Sequence, residues 1–147
     1  MLSYGKRKDS AMVQINVVYE GELRCSSSHG PTGELLQTDA PCDNEGLGAT
    51  FSPTDLVATA LASCVATIMG IHAKRHGIAL EGMKLTVEKH MSAAPRRIGS
   101  LPVHIEMPAG IEPRFRASLE NAAHLCPVHA SLHPDIEVSL HFDYPTK

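Results

Sequence analysis

The sequence predicts an α+β domain, and three observations carry that prediction. Short alternating, β-branched runs occur at the start, middle and end of the chain. One long uncharged stretch, Leu56 to Ala73, follows a strong helix start. A second segment of helical character, EPRFRASLENAAHLC, precedes the last strand-like run. The order strands, helix, strands, helix, strand describes an α+β arrangement.

The elements follow in order. VQINVVYEGELRCSSS, residues 13–28, alternates and is β-branched at its start. It reads as two strands with a turn near Glu20-Gly21. GELLQTDA, 33–40, is a third strand, and PCDNEGLGAT, 41–50, is a loop by its Gly, Asn and Asp content. SPTD then opens a helix: Ser52 suits the N-cap, Pro53 the first helical position and Asp55 the capping-box position. The helix should run from Pro53 to about His76 and stop at Gly77. MKLTVEKHMSA, 83–93, and IGSLPVHIEM, 98–107, form a hairpin joined through Pro95, Arg96 and Arg97. Residues 112–126 form the second helix, and DIEVSLHFDY, 135–144, the closing strand. No repeat or linker interrupts the chain, so residues 1–147 form one domain, with 1–11 as a flexible N-terminal extension.

Composition narrows the function classes. A chain of 147 residues with 43% hydrophobic residues can bury its own core, and with 4% aromatics and no Trp that core is aliphatic. Thirteen basic against 16 acidic residues leave a net charge of −3. That balance gives no reason to expect a nucleic acid or an anionic membrane as partner. The start, MLSYGKRKDSAMVQI, has a basic cluster but no apolar run behind it, so it does not read as a secretory signal. A cytoplasmic location follows, with the four cysteines as thiols rather than a disulfide framework.

The first helix is apolar or small nearly all round. Val57, Leu61, Cys64 or Val65, and Ile68 share one face at about 100° per residue. Leu56, Ala60, Thr67 and Ile71 lie on the others. Such a helix must be buried nearly all round. A membrane span needs about 20 predominantly apolar residues, and this stretch is shorter and rich in Ala, Ser, Thr and Gly. A core helix covered by a sheet on one side and a second subunit on the other is the better reading. The sequence therefore predicts a homodimer.

Two cysteines stand out. A free cysteine on a buried helix is usually inert packing, and Cys64 lies about 16 Å along the axis from the helix start, beyond the reach of the dipole. Any activation of its sulfur must come from a nearby cation. Cys126 precedes Pro127, which can open a short new helix with Cys126 at its N-cap, where backbone N–H groups stabilise a thiolate. A plain helix break explains Cys-Pro equally well. His124, His129 and His133 surround Cys126 and raise zinc as a rival. No CxxC or HxxxH pair sits in a recognised ligand pattern, however, so the metal expectation is none. Cys25 and Cys42 have no partner motif and read as bystanders.

SPTDLVATALASC, 52–64, and AAHLCPVHASL, 122–132, together with the hairpin segment MSAAPRRIGSLPVHIEM, resemble the OsmC/Ohr superfamily of small thiol-dependent proteins. The resemblance covers roughly residues 12–144. It implies an intertwined homodimer in which antiparallel sheets wrap two central helices. It also implies that Cys64 is a peroxidatic thiol, oxidised by an organic hydroperoxide to a sulfenic acid, and that Cys126 resolves it to a Cys64–Cys126 disulfide. A dithiol then reduces that bond, and no cofactor is needed. An arginine, matched by Arg24, lowers the energy of the thiolate and is oriented by a glutamate.

The sequence departs from the peroxidase pattern at that glutamate. The position after the proline is Thr54, and the acid is displaced to Asp55, about 180° round an ideal helix from Cys64. Glu45, in the preceding loop, is the substitute. Arg96 and Arg97 are alternatives to Arg24. The leading expectation is thus a peroxidase acting on organic hydroperoxides, because apolar surroundings of Cys64 would hold an alkyl tail. The alternatives are a thiol redox protein or binder of small reactive species on the same fold, and a His/Cys metal-binding protein.

Overall fold

The computed structural model describes residues 12–146. The expected N-terminal extension, 1–11, lies outside them. The chain divides into two compact units, one ending at Pro53 and the other beginning at Thr54.

The first unit is an antiparallel meander of β1 (Ile15–Gly21), β2 (Arg24–His29) and β3 (Leu35–Asp39), paired in that order. The β1–β2 turn falls at Glu22 and Leu23, both with positive φ (53° and 61°), two residues beyond the expected place. Left-handed backbone at both central residues gives the primed turn whose twist matches the flanking strands. Gly21 pairs with Arg24, and a register shift follows Tyr19. Val17 and Val18 point to opposite faces of β1, yet are 60% and 62% exposed, so β1 is uncovered on both faces. A short 3₁₀ turn, Cys42–Asn44, interrupts the loop that follows.

The second unit is built on α1 (Pro53–Arg75), which has the predicted extent and is followed by Gly77 at φ 66°. Ala58, Leu61, Val65, Met69 and Ala73 form its buried stripe. The expected all-round burial is not reached in one chain, because a single sheet covers one side of a helix. Ala60, Ser63, Thr67 and Ile71 remain exposed. By length and composition alone α1 could also cross a membrane. Its buried stripe instead joins the core.

The predicted strand over 83–93 is two strands, β4 (Lys84–Val87) and β5 (His90–Ala93), separated at Glu88-Lys89. Both run antiparallel to β6 (Arg96–Glu106), against its second and first halves respectively. The hairpin tip is Ala94-Pro95, and Arg96 and Arg97 belong to the strand. Residues 112–126 resolve into α2 (Pro113–Ala123) and, beyond a break, α3 (Pro127–Ser131). The closing strand β7 (Glu137–Asp143) pairs with β6 in parallel, so the sheet is mixed. The core joins the α1 stripe to Leu101, Val103 and Ile105 of β6, Leu119 and Ala123 of α2, and Cys126. Each fully buried aliphatic side chain contributes about 1.5–3 kcal/mol.

Candidate functional site

Cys126 occupies the N-cap of α3, with the extended backbone (φ −64°, ψ 119°) that the following proline demands. Its Sγ accepts from the His129 N–H at 3.4 Å. The side chain is almost fully buried, 1% exposed. Burial pushes the thiol above its ordinary value, and so does the neighbouring Cys64 side chain. The N–H groups of His129 and Val128 pull the other way and lose. The expected N-cap is present and its N–H groups do favour the thiolate, but they do not decide the outcome. Burial outweighs two amide dipoles from a helix only five residues long, and the residue rests as a thiol.

Cys64 lies midway along α1, half-buried, and packs against the core cluster. Cys126 belongs to that cluster too, and the influence of Cys64 on its thiol makes the two side chains neighbours where α1 meets the start of α3. All four cysteines are free thiols.

The acids and bases occupy several places. Lys89, at the break between β4 and β5, donates through Nζ to Thr54 Oγ1 at 2.9 Å and to Asp55 Oδ1 at 2.6 Å. Asp55 is therefore committed to Lys89. Glu45 is exposed at the end of the 3₁₀ turn with φ 66°. Arg97 donates to the Ile98 carbonyl at 3.0 Å. Within the first unit, Arg24 Nε lies 3.8 Å from Asp39 Oδ2, and the Asp39 side chain is fully buried. Asp39 Oδ2 also accepts from the Ala49 N–H at 2.9 Å. Asp39 Oδ1 is buried and has no partner among the described residues. Arg24 and Cys25 border a cleft of about 180 Å³ with Glu20, Gln37 and Thr38. Among the described residues, no three His, Cys, Asp or Glu side chains gather as a metal site.

Sequence reasoning missed Asp39 and Lys89. Asp39 had no sequence signal, since it is the pairing of β2 with β3 that sets it opposite Arg24. Lys89 had none, because its reach to α1 depends on the break in the strand.

Residues 46–141 match a family model described as OsmC-like protein. No curated protein matches the sequence. Among solved structures, the chain resembles a protein of Psychrobacter arcticus 273-4 provisionally described as an osmotic stress induced and detoxification response protein. The identity is 39%, covering 92% of this chain and 98% of that one, with a TM-score of 0.86. It shares its fold with an organic hydroperoxide resistance protein OsmC of Legionella pneumophila (20% identity, 92% and 99% covered, TM-score 0.74). The fold also recurs in the organic hydroperoxide resistance protein OhrB of Bacillus subtilis (18% identity, 90% and 98% covered, TM-score 0.65).

Proposed function

Because this chain belongs to the OsmC-like protein family, we propose that it is a cysteine-based peroxidase reducing organic hydroperoxides. The observation that carries the reading is that Cys64 and Cys126 are neighbours in one core cluster. Two neighbouring thiols become a disulfide once side-chain movement brings the sulfurs to bonding distance. In the proposed cycle the Cys64 thiolate attacks the distal oxygen of ROOH. The O–O bond breaks, ROH leaves after taking a proton, and Cys64 becomes a sulfenic acid. The Cys126 sulfur then displaces water from it and forms the disulfide. An external dithiol reduces that bond in two exchange steps. The aliphatic core around Cys64 favours an alkyl peroxide over hydrogen peroxide.

Arg24 is the proposed activating cation. Asp39 takes the place of the acid that Thr54 lacks, since Asp39 holds Arg24 while Asp55 is held by Lys89. We further propose that the working form is a homodimer. The uncovered faces of β1 and of α1 support it, because apolar surface of that extent marks a contact. Proteins of this family are soluble, and four free thiols suit the reducing cytoplasm.

The test is consumption of tert-butyl hydroperoxide with dithiothreitol as reductant. Wild type should turn over, and Cys64→Ser should abolish consumption. Cys126→Ser should react once and leave a sulfenic acid that dimedone traps. The contact of Lys89 with both Thr54 and Asp55 favours a second reading, a thiol redox module without peroxidase activity. That reading takes over if wild type consumes no alkyl hydroperoxide.

A further inference from the structure

We propose that His104 and His141 form a binding site for a divalent transition-metal ion that favours nitrogen ligands, of the Ni²⁺, Cu²⁺ and Zn²⁺ class. His104 on β6 and His141 on β7 are direct partners in the parallel register. Their rings stack with centroids 5.0 Å apart and an interplanar angle of 21°. Ile105 is buried and Phe142 partly buried against the core, so alternation turns both histidines to the opposite, solvent face, where both are exposed. They line a cleft of about 340 Å³ together with Lys84, Thr86, Glu106 and Asp143.

The next pair on the same face supplies the reason for a cation. Glu106 and Asp143 are also register partners, and like charges directly opposite on neighbouring strands are destabilising. Lys84 pairs with Glu106 from the other side, so one positive side chain faces two carboxylates. A divalent ion near these carboxylates relieves the repulsion, and the imidazoles two residues back along each strand supply the lone pairs that bind it. With metal–nitrogen bonds of about 2.0–2.1 Å, the chelating nitrogens must approach to about 3 Å. Binding therefore requires the rings to tilt from the stacked pose. His141 Nε2 lies 3.2 Å from Ser139 Oγ, which steadies the ring and leaves Nδ1 as the nitrogen to ligate the ion. Since no third His, Cys, Asp or Glu converges there among the described residues, water completes the coordination.

The rival is the stacked pair His72 and His76 on α1, with centroids 4.2 Å apart. There Lys74 and Arg75 lie in the same last turn, and His72 Nε2 is buried. That setting opposes a cation and makes the pair an internal control.

The experiment is calorimetric titration of Ni²⁺ into the full-length protein, native and with its thiols alkylated by iodoacetamide. One site per chain should survive alkylation. His104→Ala and His141→Ala should each weaken it at least about tenfold, and Glu106→Gln by a smaller factor. His76→Ala should leave it unchanged. His141→Gln serves as the second variant should His141→Ala fail to fold, with circular dichroism as the check. Absence of an alkylation-resistant site overturns the proposal. So does loss of the site in His76→Ala with retention in His104→Ala.

Discussion

Cys126 shows how one position can carry two opposed influences. Its place before Pro127 aims two amide N–H groups at the sulfur, and its burial opposes them and wins. Because the folded protein prefers the protonated thiol, Cys126 contributes stability in full below its ordinary value of 9.0. That contribution is lost as pH rises past this value toward the higher folded one. Urea unfolding between neutral pH and the alkaline range should therefore show a steeper loss of stability in wild type than in Cys126→Ala. Equal slopes would mean that burial does not hold the proton. At the same scale, Arg24→Ala should slow alkylation of Cys64 and move its pH dependence upward, because the thiolate is the reacting form. Asp39→Asn should shift it in the same direction by less. An unchanged profile in Arg24→Ala would remove Arg24 from the proposed site. Cys64, Cys126 and Arg24 could all be singled out in the sequence by motif. Asp39 could not, because its significance lies in a cross-strand pairing.

Among the elements, α1 was the most legible. Pro53 and Gly77 bracket it, and its ends follow from backbone chemistry that needs no tertiary context. Its buried stripe was less so, because a helix apolar on every side does not say which side a single chain will cover. Leu61 is fully buried and Thr67 is exposed. Leu61→Ala should then cost about 2–5 kcal/mol, and Thr67→Ala at most about 0.5 kcal/mol by the effect on the isolated fold. Thermal denaturation of the two variants checks the contrast. The β4–β5 break was illegible for a different reason. Residues 83–93 alternate as one strand would, and the register against β6 runs on unshifted from Val87↔Val103 to His90↔Ser100, so the interruption at Glu88-Lys89 lies opposite Leu101 and Pro102, which has no N–H to donate. A break of that kind is set by the partner strand, not by the residues that make it.

For the whole molecule, the α+β class and the order of elements were legible because helical and strand periods alternate cleanly along the chain. The parallel docking of β7 on β6 was not, since strand alternation carries no information on direction. Assembly is the prediction that belongs here. Val17, Val18, Tyr19 and Leu35 are 60–78% exposed, and a free monomer would present them all to water. Sedimentation equilibrium should give twice the chain mass of 15.8 kDa. A stable monomer at micromolar concentration would overturn the homodimer.

The unequal exposure of the two sulfurs has a consequence for how electrons return to the protein. Cys126 is 1% exposed, while Cys64 is only half-buried. In a single chain carrying the disulfide of the proposed cycle, an incoming thiol therefore reaches the Cys64 sulfur more readily, and Cys126 departs as the leaving group. A thiol of raised pKa leaves slowly, so monothiols should stall at this step. A dithiol, once attached to Cys64, escapes by cyclising. The buried cysteine thus selects the class of reductant the protein can use, with no surface dedicated to recognising it.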